Sequence, residues 1–351
     1  MSYNHILLIQ LKHLGDILLT TPVLRALHNA WPQAALRALI PKGMEAMLCD
    51  HPLIKEVISV DRQDIRQQLR LALDLRRRHF DLVLEFSGGD RGAFSAWLTG
   101  ARTRLGFDQS RRSWWQRRLA FTLLAPPPPL RAHTVEKNLA LIEALGVAPR
   151  HQGPEFFWRP ETATAVQALM RRYSLRSQGF VLVHPPARWL FKCWTGPGYA
   201  QVIDALQADY KLPVVITAAP IPKELDFVAD ILARVHTQPI NLAGRLDLKA
   251  LGVLIAQARL FVGVDSAPMH LAAAVGTPSV VLFGPSGPYN WRPWGEGHIV
   301  LTKDFACQPC GRDGCQGSKI SRCLTAITPA EVLTAIDRQL QACTSPLSAS
   351  V

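Results

Sequence analysis

The chain has 351 residues, more than one hydrophobic core usually serves, so two domains are the first expectation. Hydrophobic residues at 48% and charged residues at 19% fit packed globular domains and exclude a disordered or fibrous chain. A formal net charge of +12 favours anionic partners: nucleic acid, an anionic membrane, or a phosphorylated sugar or lipid.

The start carries no basic leader, and its apolar run Ile6 to Ile9 is interrupted by Gln10 and Lys12, so no secretory signal is expected. Elsewhere Pro, Gly or a charge breaks every apolar stretch before the roughly 20 residues a membrane helix needs. The expectation is a soluble, cytoplasmic protein. Much of the basic excess sits in Arg76 to Arg78, Arg102, Arg104, Arg111, Arg112, Arg117 and Arg118, either as a solvated face or as a binding surface.

In chain order, Ile6 to Gln10 reads as a strand buried in a parallel sheet. Thr21 and Pro22 then supply an N-cap and a first-turn proline for a helix over Val23 to Ala30. Strands follow at Ala35 to Ile40 and Glu56 to Val60, a basic helix at Leu69 to Arg78, and a strand at Leu82 to Phe86. Pro126 to Pro129 reads as a stiff connector, and Thr134 to Leu145 has helical spacing. A helix over Ala163 to Tyr173 precedes a second set of strands at Phe180 to Val183, Pro213 to Thr217, Phe261 to Val264 and Ser279 to Phe283. The final helix, Pro329 to Leu340, fits either domain. This repeated βαβ rhythm predicts two doubly wound α/β domains facing a central cleft, where the carboxyl ends of the strands bind ligands.

Four segments carry candidate chemistry. Asp16, in Lys12-His13-Leu14-Gly15-Asp16, follows the first strand; it suits a general base on a hydroxyl and equally a helix cap. Arg188 and Lys192, after the first strand of the second half, are placed to neutralise a diphosphate, or are ordinary surface cations. Glu224, after the next strand, offers an acceptor for a ribose hydroxyl. The run Val264 to Pro278 combines a strand end, a cap at Asp265 or Ser266, Pro268 in the first turn, an alanine-rich helix and a Gly276 stop. Such a helix start is an anion site, and His270 is the polar residue one turn inside it.

Cys307, Cys310, Cys315 and Cys323 form C-x2-C-x4-C-x7-C in a Gly-rich loop. The spacing permits a structural zinc or iron–sulfur site but lacks the second tight pair of strong zinc motifs, so free or structural thiols are the expectation and no metal is assigned. No P-loop, no G-x-G-x-x-G after the first strand and no G-x-S-x-G is present. This argues against P-loop nucleotidases, classical dehydrogenases and α/β-hydrolases.

Taken together, Lys12-x-x-Gly15-Asp16 with Thr20-Thr21-Pro22, Lys192-x-Trp194, Asp265-Ser266-x-x-Met269-His270-x-Ala272-Ala273 and Phe283-Gly284-Pro285-Ser286 resemble the ADP-heptose:lipopolysaccharide heptosyltransferase family, glycosyltransferase family 9. Phe107-Asp108 with Arg111-Arg112-Ser113, His133-Thr134-Val135-Glu136-x-Asn138-Leu139 and Trp291-Arg292-Pro293-Trp294 are most similar to its heptosyltransferase III branch. The resemblance implies a GT-B fold: an acceptor-binding domain over 1–160, a linker over 161–178, and an ADP-sugar-binding domain over 179–351. It implies an inverting transfer from ADP-heptose to the lipopolysaccharide inner core of a Gram-negative cell, at the third, side-branch heptose. No cofactor or divalent metal is required.

By motif, Asp16 becomes the base. Arg188 and Lys192 meet the diphosphate, Glu224 the ribose, and Asp265, Ser266, Ala267 and His270 the donor. Ala267 stands where many members carry Gly, which narrows the space near the donor. A phosphorylated lipid acceptor implies peripheral contact with the anionic inner membrane from the cytoplasmic side. Three rivals remain at this point: a nucleotide-sugar epimerase of GT-B architecture, a transferase that uses a different nucleotide sugar, and a nucleic-acid-binding protein, which the absence of any recognised binding module disfavours.

Overall fold

The computed structural model describes residues 2–61, 65–108, 118–148 and 153–342. Its contacts divide the chain into two units, Met1–Phe157 and Trp158–Val351.

The first unit runs β1 (His5–Ile9), α1 (Leu14–Leu18), α2 (Thr21–Ala30), β2 (Ala35–Pro41), β3 (Ile54–Val60), α3 (Ile65–Arg77), β4 (Leu82–Glu85), α4 (Asp90–Thr99), β5 (Thr103–Phe107), β6 (Leu123–Ala125) and α5 (Thr134–Glu143). All its strand pairs are parallel, in the order β3-β2-β1-β4-β5-β6. Apolar residues of β1 and β4 are buried on both faces, as a central parallel strand requires, and Leu7, Ile9, Val83 and Leu75 pack into one core cluster.

The second unit runs α6 (Pro160–Arg172), β7 (Val181–His184), α7 (Gly196–Ala208), β8 (Val214–Ile216), α8 (Pro222–Leu232), β9 (Ile240–Asn241), α9 (Leu248–Gln257), β10 (Leu260–Val264), α10 (Ala267–Ala274), β11 (Ser279–Leu282), α11 (Pro288–Trp291), β12 (His298–Leu301), α12 (Arg322–Thr325) and α13 (Pro329–Ala342). Its strands are also parallel, in the order β12-β11-β10-β7-β8-β9. Counted within the unit, this is again third-second-first-fourth-fifth-sixth, read from the opposite edge for the strands that flank β7. Both units therefore carry a doubly wound order whose switch point lies beside the first strand, at β1/β4 and β7/β10.

Some local expectations are corrected, and others that were left open are decided. Thr20, not Thr21, is the N-cap of α2. Because α1 ends directly before it, the Thr20 and Thr21 hydroxyls donate back to the carbonyls of Ile17 and Leu18 at 2.6 and 2.8 Å. Most of the 161–178 stretch is the helix α6, which packs on α9 and so groups with the second unit instead of spanning freely between two. The final helix α13 lies on α7, β11 and β12. Ser266, not Asp265, caps α10 by position, and that helix ends in a Schellman turn: Thr277 N–H bonds to the Ala272 carbonyl at 2.9 Å, with Gly276 at φ +75°.

Candidate active site

In the first unit, the turn after β1 runs straight into α1, and Asp16 sits in the first turn of that helix, buried. Its Oδ2 accepts a hydrogen bond from the His13 backbone N–H at 3.2 Å. Asp16 thus does close the helix start, and its carboxylate has acceptor capacity beyond that one bond. Burial pushes its pKa above the ordinary carboxylate value, partly opposed by the charge of Lys12 and the His13 N–H. A carboxylate so raised accepts a proton more readily than an exposed one. The C-terminal end of α1 is tied down from afar, since Asn138 on α5 donates to the Leu19 carbonyl at 2.8 Å.

The sequence gives no warning of the other side of this switch point. Glu85 ends β4 almost fully buried; its two oxygens accept from the Gly88 N–H at 3.0 and 3.1 Å, and it packs against Gly92, where any side chain would collide with it. Ser87 Oγ accepts from the Leu11 N–H at 2.7 Å, which ties the loops after β1 and β4 together.

In the second unit, the loops after β7 and β10 meet. Lys192 Nζ donates to Asp265 Oδ2 at 2.6 Å, with Asp265 buried and Lys192 partly so. Arg188 and Lys192 both stand over the Trp189 ring, 5.3 and 5.6 Å from its centroid. Ser266 caps α10 with extended backbone, yet its hydroxyl makes no cap bond. Its Oγ is buried without a hydrogen-bond partner among the described residues. The helix start beside it has no N–H at Pro268, and the Met269 N–H donates to the Ser266 carbonyl at 3.1 Å, so the Ser266 hydroxyl is the polar side-chain atom there with donor and acceptor capacity unspent. Ala267 opens the helix, and the buried His270 ring lies 6.5 Å from that of Trp291.

Glu224 lies in the first turn of α8, near enough to Cys193, the residue after Lys192, to act on its thiol electrostatically. Its Oε2 accepts from the Ala219 N–H at 3.0 Å, and burial raises its pKa. At the end of β7, His184 is fully buried against Thr217 at 3.0 Å, and burial drives its pKa down to about 3, so it is a neutral structural residue.

A cavity of 320 Å³ opens beside the pair, with Trp189, Phe191 and Lys192 from the loop after β7 and Tyr289, Asn290 and Trp291 of α11 in its walls. Of the sequence candidates, Lys192 lines it. The cysteine-bearing loop braces both walls. Gln308 Nε2 donates to the Gly284 carbonyl at 2.6 Å, Cys310 and Gly311 N–H groups donate to the Pro285 carbonyl at 3.1 and 2.9 Å, and Ser321 Oγ donates to the Phe191 carbonyl at 2.6 Å. Among the described residues, no group of three or more His, Cys, Asp and Glu side chains is arranged to hold a metal, and the bonds that this loop makes are those of a scaffold. Arg111, Arg112 and Arg117, expected on an anion-binding face, lie outside the described residues. Among the described residues, no helix is long and apolar enough to cross a membrane.

Two doubly wound units, each with its polar loop residues at the switch point of its sheet, are the arrangement of the GT-B fold. The structure of a glycosyltransferase family 9 protein from Veillonella parvula DSM 2008 matches with a TM-score of 0.86 at 24% identity, covering 97% of this chain and 98% of that one. That of Escherichia coli ADP-heptose lps heptosyltransferase II matches with a TM-score of 0.77 at 24% identity, covering 97% and 99%. The family model for glycosyltransferase family 9 (heptosyltransferase) matches residues 68–321. Lipopolysaccharide heptosyltransferase 3 of Escherichia coli is 32% identical over 345 residues, 95% of this chain and 98% of the relative. The chain belongs to glycosyltransferase family 9, the heptosyltransferases.

Proposed function

We propose that the enzyme transfers heptose from ADP-L-glycero-D-manno-heptose to the heptose region of the lipopolysaccharide inner core, at the third, side-branch heptose. The observation that carries the reading is the polar cluster at the β7/β10 switch point of the second unit. There a Lys192–Asp265 pair and an unpartnered Ser266 hydroxyl meet the start of α10, in a chain that shares 32% identity with a lipopolysaccharide heptosyltransferase 3.

In this reading Asp16 takes the proton of the acceptor hydroxyl as that oxygen attacks the anomeric carbon. The bond from that carbon to the diphosphate oxygen breaks with its electron pair, ADP departs from the opposite face, and the configuration inverts. Lys192 has three N–H donors and spends one on Asp265, which leaves donors for phosphate oxygens. The α10 N-terminus and the Ser266 hydroxyl add to the charge stabilisation, with Arg188 beside them. No divalent metal is then required. Glu224 accepts from the donor ribose through the oxygen that Ala219 does not use, while Ala267 and His270 shape the donor side. The enzyme works in the cytoplasm, with peripheral contact to the anionic face of the inner membrane that carries its acceptor; its net charge of +12 supports this.

The test is ADP release from ADP-heptose by the purified protein, with and without truncated lipopolysaccharide that ends in the second heptose, in buffer containing EDTA. Acceptor-dependent release that persists in EDTA is the expected result. Release that needs no acceptor, or that EDTA abolishes, overturns the reading.

A further inference from the structure

The first unit carries an apolar and basic patch that the catalytic reading leaves unused. On α4, Phe94 and Trp97 are 57% and 51% exposed, and their rings stack with centroids 5.9 Å apart. On the adjoining helix α3, Leu73 is 60% exposed. The two helices meet where the Arg76 guanidinium fills the space beside Gly100, just past the end of α4. Leu73 and Trp97 each lie three residues, about one turn, before that contact, so the helices present them at the same level. A third element joins them: Arg104 donates from Nε to the Ala120 carbonyl and from Nη1 to the Ala101 carbonyl, each at 2.6 Å. This holds the turn bearing Leu119, itself 64% exposed, beside the end of α4.

Arginines surround these side chains. Arg70 and Arg77 flank Leu73 along α3, Arg91 precedes Phe94 by one turn, and Arg102 follows the end of α4; all four are exposed. The carboxylates nearby are Asp90, in the first turn of α4, and Asp74, which is tied to Arg78 at 2.7 Å. Large exposed apolar side chains inside a ring of cations mark a contact surface.

We infer that this α3–α4 face, centred on Phe94, Trp97 and Leu73, docks the enzyme on an anionic lipid bilayer. The inference deepens the proposed peripheral membrane contact and rests on it. Charge complementarity selects the occupant. Tryptophan settles at the headgroup level of a bilayer, phenylalanine and leucine bury their apolar side chains at the acyl boundary just below it, and arginines reach from an apolar surface to its phosphates. A second copy of the chain would set the same arginines against each other across a two-fold contact, which their repulsion opposes. The patch lies toward the sheet edge where the strands begin, as the C-terminal ends of crossover helices do, whereas Asp16 follows the end of β1. Docking therefore leaves the Asp16 end of this unit uncovered.

The experiment is flotation of the full chain with vesicles of phosphatidylcholine alone and with about one third phosphatidylglycerol. It compares wild type, Phe94→Ser/Trp97→Ser and Arg77→Gln/Arg102→Gln. Melting temperature and turnover of a soluble, delipidated acceptor are measured alongside. Wild type is expected to float only with the anionic vesicles. The aromatic variant should partition about 10-fold more weakly or worse, and the arginine variant should lose most of the dependence on phosphatidylglycerol. Both should keep wild-type melting and turnover. Wild-type binding that neither variant weakens overturns the patch while the membrane reading survives. If wild type binds no vesicle, the membrane reading fails and takes the patch with it. A wild-type dimer in solution that the aromatic variant converts to monomer assigns the face to a second copy and overturns the proposal.

Discussion

The two units share one strand order and place their loops at equivalent switch points, yet they arm those points with opposite chemistry. At β1/β4 the buried charged groups are carboxylates, Asp16 and Glu85, held by backbone N–H groups at 3.0–3.2 Å. At β7/β10 the centre is a lysine paired with an aspartate, beside an unpartnered hydroxyl and a cavity walled by aromatic rings. The scaffold fixes where the loops converge, and a few loop residues set the charge found there; in the proposed function one point serves the proton and the other the diphosphate.

Removing the base tests the first half of that contrast and carries the largest expected effect. Asp16→Ala should lower kcat by about 10²- to 10⁴-fold while donor affinity, measured by calorimetry, stays unchanged. An equal loss of donor affinity would place Asp16 with the donor instead.

The anion site comes next. Lys192→Ala should lower kcat/KM by about 10²- to 10³-fold and weaken ADP binding, because it removes a charge from the leaving group and leaves Asp265 buried without its partner. The double variant Lys192→Ala/Asp265→Asn should recover stability, read as melting temperature, without recovering rate.

The pH response sharpens the comparison further. The raised Asp16 pKa means the acid limb of kcat/KM lies above the ordinary carboxylate range, with activity falling as pH drops through it. For stability the sign runs the other way. An acid whose pKa is higher in the folded than in the unfolded state is a burden once it ionises, so its contribution falls as pH rises past the unfolded value. Asp16→Asn should therefore melt higher than wild type at neutral pH and no higher well below that value. A variant that melts lower at neutral pH would show that the His13 contact outweighs the burial of charge.

The smallest effect belongs to the brace. Ser321→Ala deletes the bond to the Phe191 carbonyl, worth about 0.5–1.5 kcal/mol, and should raise donor KM by roughly 2- to 10-fold with kcat little changed. No change in KM would mean that the wall stands without it.

What the sequence disclosed follows the same physics. Strands β1, β4, β7, β10 and β11 were legible because central parallel strands are buried on both faces and read as unbroken apolar runs. The edge pieces β9 and β12 are two residues long or half-exposed, and β6 is three residues with one exposed, so none gives a pattern. Helix α4 escaped because Gly92, Phe94 and Trp97 spoil its amphipathic spacing: one makes room for Glu85 and two point to solvent. Asp16, Lys192, Asp265 and Ser266 were legible because each follows a strand end. Glu85 was not, since a carboxylate closing an apolar strand looks like any strand terminus. Tyr289, Asn290 and Ser321 have no local signal at all; contacts from distant parts of the unit give them their places.

The Ser321–Phe191 bond spans 130 positions, and the bond from Trp194 Nε1 to the Ile327 carbonyl spans 133. On a ribosome the chain emerges in order, and domains tend to fold as units as they appear. The unit bearing Asp16 is complete before Phe191 is made. The cavity wall at Phe191 must wait for the chain to reach Ser321. During synthesis the Asp16 turn is thus built early and the Lys192 cavity last, so a chain that stalls just short of Ser321 carries a finished first unit but an unbraced cavity wall.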